Sequence, residues 1–104
     1  MKTFILKKVH NEELKAIVTN KEIIVSQHAY DHMNEAQRKI FKEEALTNTL
    51  NRENPRKIYL QENERYCAYF RKKEGYLKII LSIEEKKVII VSFMIVDELP
   101  RIKP

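Results

Sequence analysis

RKIYLQENERYCAYFRKKEGYLKIILSIEEKKVIIVSFMIV, residues 56–96, is the stretch that decides the fold. It divides into four runs rich in β-branched and aromatic residues, RKIYLQ, ERYCAYFRK, YLKIILSI and KKVIIVSFMIV, separated by two or three residues each. Connections that short join only antiparallel neighbours, so the four runs predict a meander. In the second run Tyr66, Ala68 and Phe70 share one face, and Arg65, Cys67, Tyr69 and Arg71 share the other. The last run is apolar on both faces except at Ser92, as expected of a strand in the middle of a sheet.

Upstream the pattern changes. MKTFILKK, residues 1–8, reads as a short strand or an extended lead-in. Asn11 stands where a helix cap belongs, with Glu12 and Glu13 in the positively polarised first turn. Leu14 and Ile17 then give a short amphipathic helix. EIIVS, residues 22–26, is a β-branched run typical of a short strand. Ser26 is positioned to cap a helix carrying His28 and His32, with Ala29 and Met33 pointing inward. A longer helix is predicted over 35–51, with Ala36, Ile40, Leu46, Thr47 and Leu50 as its buried stripe. Pro55 ends it by disfavouring helix at Asn54. The expectation is one α+β domain over 1–104, with N-terminal helices packed on one face of a C-terminal four-stranded antiparallel meander. Its core spans about 22–96, and 97–104 form a short C-terminal tail.

Composition narrows the function. With 104 residues, 43% hydrophobic and 34% charged, the chain suits a single globular domain. A net charge of +5 favours a polyanionic partner, because neutralising phosphates releases counterions. The lone Cys67 excludes an intramolecular disulfide framework and a cysteine-built zinc site, and its strand context reads as a small buried thiol. One glycine cannot build a P-loop or a Rossmann turn. The apolar runs end far short of the ~20 residues a membrane span needs, and no signal peptide is recognisable. A cytoplasmic protein with no membrane partner is expected.

Three constellations bear chemistry. His28 and His32 lie one helical turn apart on the predicted helix. Ala29 breaks the H-E-x-x-H zinc pattern, and only His10 and scattered carboxylates remain to complete a site, so neither a metal nor another cofactor is expected. As acid and base the pair suits RNA cleavage by transesterification, with one group activating the 2′-hydroxyl and another protonating the 5′-oxygen. The alternative is an ordinary helix face. Arg65 and Arg71 flank Tyr69 on one strand face, and Lys78 joins them if the register allows. Arginine forks bind phosphate and a tyrosine ring stacks on a base, while the alternative is a solvated sheet face. Ser92 orients a histidine or donates to a phosphate oxygen, or simply bonds within the sheet.

The order of these pieces resembles the small metal-independent nucleases grouped with barnase, EndoU, colicin and RelE, in particular the phage-borne branches and the BrnT-type toxins. The resemblance spans about 22–95 and rests on Ser26, His32 with Met33, Asn54 with Pro55, and Ser92, with His28 and Ala29 matching the His-Ala pair of the BrnT-like pattern. The chain has His32 where that pattern often has Arg, and Ser92 where Thr is commoner. What the resemblance implies is an endoribonuclease, a toxin or phage-associated effector, with His32 and His28 as acid–base partners and Ser92 assisting. Arg65, Arg71 and Lys78 would hold the phosphate, and Tyr69 would stack on a base. This needs the basic strand face and the histidine helix to share one cleft. RNA is then the partner, with an acidic antitoxin or inhibitor protein as a second. The other readings are a non-catalytic module binding nucleic acid or protein through the basic face, and a homodimer formed through the last strand or the tail.

Overall fold

The computed structural model describes residues 5–31 and 33–100. Six strands, β1 (Ile5–Lys8), β2 (Glu22–Val25), β3 (Lys57–Gln61), β4 (Tyr66–Lys72), β5 (Gly75–Ile83) and β6 (Lys87–Val96), form one sheet in the order β1-β3-β4-β5-β6-β2. Three short helices, α1 (Asn11–Val18), α2 (Glu35–Ile40) and α3 (Glu43–Arg52), and a 3-10 turn (Gln27–Tyr30) lie between the strands. This corrects the expected fold class. The sheet has six strands and is mixed, and the helices are inserted among strands instead of preceding a four-stranded meander. The added strands are its two edges: β1 pairs antiparallel with β3, and β2 pairs parallel with β6. Each has four residues and finds its partner more than fifty residues along the chain, a pairing that no local pattern records.

From β1 at one edge of the sheet the chain crosses through α1 to β2 at the other, and returns through α2 and α3 to β3. All the helical elements that reach the core do so on one side. Leu14, Val18, Ala29, Met33, Leu46 and Leu50 pack there against Ile58, Ala68, Phe70, Leu77, Ile79, Leu81, Val88, Ile90 and Phe93. Burial of this apolar surface is the main stabilising term. On α1 it is Val18, not Ile17, that is buried with Leu14. Asn11 is the first helical residue instead of the cap, and its amide donates to Asn54 Oδ1 at 3.0 Å. Lys15 holds the same end of α3: its ammonium donates to the carbonyls of Leu50 (2.8 Å) and Glu53 (2.6 Å), where the helix leaves carbonyls unpaired and carries negative charge.

The single helix expected over 35–51 is two helices. Asn34 and Gln37 form a reciprocal capping box that starts α2, and Arg38 ties it down by donating to the carbonyls of Met33 and Tyr30. The chain leaves helical geometry at Phe41 (φ −101°, ψ 56°) before α3 begins. In one straight helix Phe41 and Leu46 would point about 140° apart, and the break lets both reach the core. Ala36 and Ile40 are exposed as a result, Ile40 by 65%, while Leu46, Thr49 and Leu50 carry the burial. The expected histidine helix is likewise only a 3-10 turn, and Ser26 makes no side-chain cap bond.

Gly75 has a role that no other residue type fits. It opens β5 after the two-residue turn Lys73–Glu74, with φ at +144°, and a Cβ there would lie 2.6 Å from the Val96 carbonyl oxygen. Both the backbone angle and the neighbouring strand exclude a side chain. Gly75→Ala is expected to cost about 2–3 kcal/mol in unfolding free energy, read from the urea midpoint.

Candidate nucleic-acid interface

Alternation along the strands sends a second set of side chains to the face opposite the helices. The register aligns them in rows. One row runs Lys8, Tyr59, Cys67, Ile80, Ser92; the next runs Lys57, Tyr69, Lys78; a third runs Arg71, Tyr76, Val96. Cations and tyrosines therefore alternate across neighbouring strands. The Lys78 ammonium lies 5.9 Å from the Tyr69 ring centre, and the Arg71 guanidinium lies 5.1 Å from that of Tyr76. The ion pairs among the described residues, Lys7–Glu13, His28–Asp31 and Lys72–Glu53, include none of these cations.

The two-residue turn places Lys78 directly opposite Tyr69, so the register does bring Lys78 to the expected group. Tyr69 itself is only 6% exposed and is packed edge-to-face with Tyr59 at 6.3 Å, so its ring faces are not free to stack on a base. Arg71 is exposed, and its fork also reaches the Gly75 carbonyl at 3.4 Å. Arg65 is exposed just ahead of β4, about 20 Å from Arg71 along an extended strand. The two guanidinium groups thus sit at opposite ends of β4 rather than around one phosphate. Ser92 is half-buried on this face, opposite Ile80.

His28 belongs to the other side. Its neighbours Ala29 and Tyr30 are seated in the helix-side core, while its own side chain is 88% exposed and its Nδ1 lies 3.2 Å from Asp31 Oδ2. His28 and the row of Tyr69 and Lys78 are therefore separated by the sheet. His32 lies outside the described residues. Among the described residues no group of three His, Cys, Asp or Glu side chains is placed to hold a metal ion. A groove of about 340 Å³ on the helix side, lined by Gln37, Ile40, Phe41, Lys72, Lys73, Glu74 and Ile95, contains none of the expected site residues.

The sequence reading missed Tyr76, Lys57 and Lys8. Tyr76 was within reach, since a two-residue turn closed by Lys72 and Gly75 sets Arg71 opposite Tyr76. Lys8 was not, because it depends on the β1–β3 pairing and its bulge.

No family model matches the chain, and no curated protein or solved structure matches it either. No helix among the described residues is long and apolar enough to cross a membrane.

Burial gives this face a measurable pH signature. It raises the Tyr69 phenol well above its ordinary 10.0, raises Tyr59 as well, and raises the Cys67 thiol above 9.0. Tyr30, in the helix-side core, is raised for the same reason. The folded chain thus holds these protons when the unfolded chain has lost them, so the contribution is complete below pH 9.0 and falls as pH climbs through 10.0. Lys15, lowered by burial against the pull of Glu53, acts in the opposite sense but is one group against four. Urea midpoints are expected to fall steadily above pH 10.0, and less steeply in Tyr69→Phe.

Proposed function

We propose that the chain binds RNA through the helix-free face of its sheet. The observation that carries this reading is the row Lys57, Tyr69, Lys78 beside the row Arg71, Tyr76, with no carboxylate paired to its cations among the described residues. Lys57, Lys78 and Arg71 supply phosphate contacts. The exposed Arg71 guanidinium, backed by the Tyr76 ring, offers a plane on which an unpaired base stacks. The net charge of +5 acts in the same direction.

Metal-independent RNA cleavage is the second reading. It is favoured by the parallel β2–β6 pairing, in which the Ser26 amide donates to the Ile90 carbonyl at 3.0 Å, so that SQHAYDHM begins beside IIVSF. Incubation with total RNA in EDTA tests both readings together. Salt-sensitive binding without cleavage supports the first alone. Cleavage that survives EDTA and is lost in His32→Ala adds the second, and absence of binding sinks both.

A further inference from the structure

The helix-free face is not bare. Tyr59 is 2% exposed, Cys67 3% and Tyr69 6%, although no helix covers them. Tyr76, Ile80 and Val96 of the sheet pack against them, and the segment that follows β6 completes the cover. After β6 stops at Val96, Leu99 packs on the Tyr59–Cys67–Tyr69 cluster and the Pro100 carbonyl accepts a 3.3 Å hydrogen bond from the Lys57 ammonium. The chain bends at Asp97 and Glu98, which turns Leu99 back onto this face and brings the Pro100 carbonyl within reach of the Lys57 side chain from β3.

The contacts in this segment are of the kinds an RNA strand would make there. Leu99 lies where a base would meet the tyrosine cluster. The Pro100 carbonyl takes the Lys57 donor that a phosphate oxygen would take. Asp97 and Glu98 are exposed and follow directly on Val96, which faces Tyr76 in the row of Arg71, so they bring negative charge to that end of the basic face. Among the described residues, the Leu99 side chain and the Lys57 hydrogen bond are the contacts that hold the segment down, and a segment held by so few belongs to the low end of local stability.

We infer that residues 97–100 form a strap lying across the RNA-binding face, and that RNA and the strap compete for it. The inference rests on the reading of this face as the RNA interface. Free protein is then divided between strapped and open forms, and RNA affinity is reduced by the fraction that is open. The strap is a built-in brake.

Leu99→Ala tests it with two readouts. The first uses no RNA: Cys67, buried beneath the strap, is labelled by a thiol reagent, and the variant is expected to label several-fold faster than wild type at an unchanged urea midpoint. The second is affinity for a fluorescent single-stranded RNA, expected to rise several-fold in the same variant, with Asp97→Asn/Glu98→Gln moving it in the same direction. Faster labelling without tighter binding overturns the competition. Unchanged labelling together with unchanged affinity overturns the strap itself. If neither protein binds RNA, the reading of the face fails, and the inference with it. If wild type binds through Arg71 and Lys78 while the Leu99 variant binds equally well, the competition fails and the reading of the face stands.

Discussion

Phe93→Ala is expected to lower the unfolding free energy by about 3–5 kcal/mol. Phe93 is 1% exposed in β6, opposite Ile79 on the helix side of the sheet. Tyr30 from the 3-10 turn meets its ring edge-on at 5.3 Å, and Phe41 from the break between α2 and α3 meets it at 6.0 Å. The two irregular points of the helical layer are therefore both seated on this one side chain. Removing it loses the transfer energy of the ring, leaves a cavity, and forfeits two aromatic contacts worth about 0.5–1.5 kcal/mol each. Because the 3-10 turn and the helix break both rest on this ring, they should loosen first. Hydrogen exchange at Ala29–Tyr30 and Phe41 is expected to accelerate more than exchange in β4 and β5, alongside a lower urea midpoint with the slope retained.

The second large effect concerns binding. Arg71→Ala combined with Lys78→Ala is expected to weaken single-stranded RNA affinity by about 10–100-fold. The plot of log affinity against log salt should also become shallower by about 1.4, since each lost phosphate contact on a single strand removes about 0.7. Neither residue carries the fold: Arg71 is exposed, and each lies over a tyrosine ring in a cation–π contact of about 0.5–1 kcal/mol. The urea midpoint should therefore move little while affinity moves strongly. Lys39→Ala with Lys42→Ala, two exposed cations on the helix side, is the matched control and should leave binding near wild type.

The sequence carries the middle of the sheet and loses its edges for one physical reason. Runs 56–61, 64–72, 76–83 and 86–96 are joined by turns so short that pairing follows from chain length alone. β1 and β2 are four-residue strands whose partners are set by the whole helical layer folding between them, so EIIV reads as a strand while its parallel seat beside β6 remains unwritten. The helix break at Phe41 is hidden in the same way. Residues 35–51 have acceptable helix propensity throughout, and only the competition of Phe41 and Leu46 for one core bends the chain.

The candidate interface divides along similar lines. The face shared by Cys67, Tyr69 and Arg71 follows from strand alternation, and Lys78 opposite Tyr69 follows from the tight turn at Lys73–Glu74. That Tyr69 is buried does not follow, since it depends in part on Leu99 returning to this face after the last strand. The separation of His28 from the basic face was also illegible. It requires knowing that the 3-10 turn packs through Ala29 on the helix side while Tyr69 and Lys78 project from the other.

The measurement that tests the account most directly is a methyl-resolved NMR titration of the intact chain with a short single-stranded RNA in EDTA. Isoleucine methyl groups report the two faces separately, because Ile80 and Ile89 project to the helix-free side while Ile58, Ile79 and Ile90 sit in the helix-side core. The account predicts salt-sensitive shifts at Ile80 and Ile89, with the core methyl groups nearly still. Shifts centred instead on Ile40, or on the helix-side core, or no shifts at RNA concentrations well above those of the protein, would contradict it.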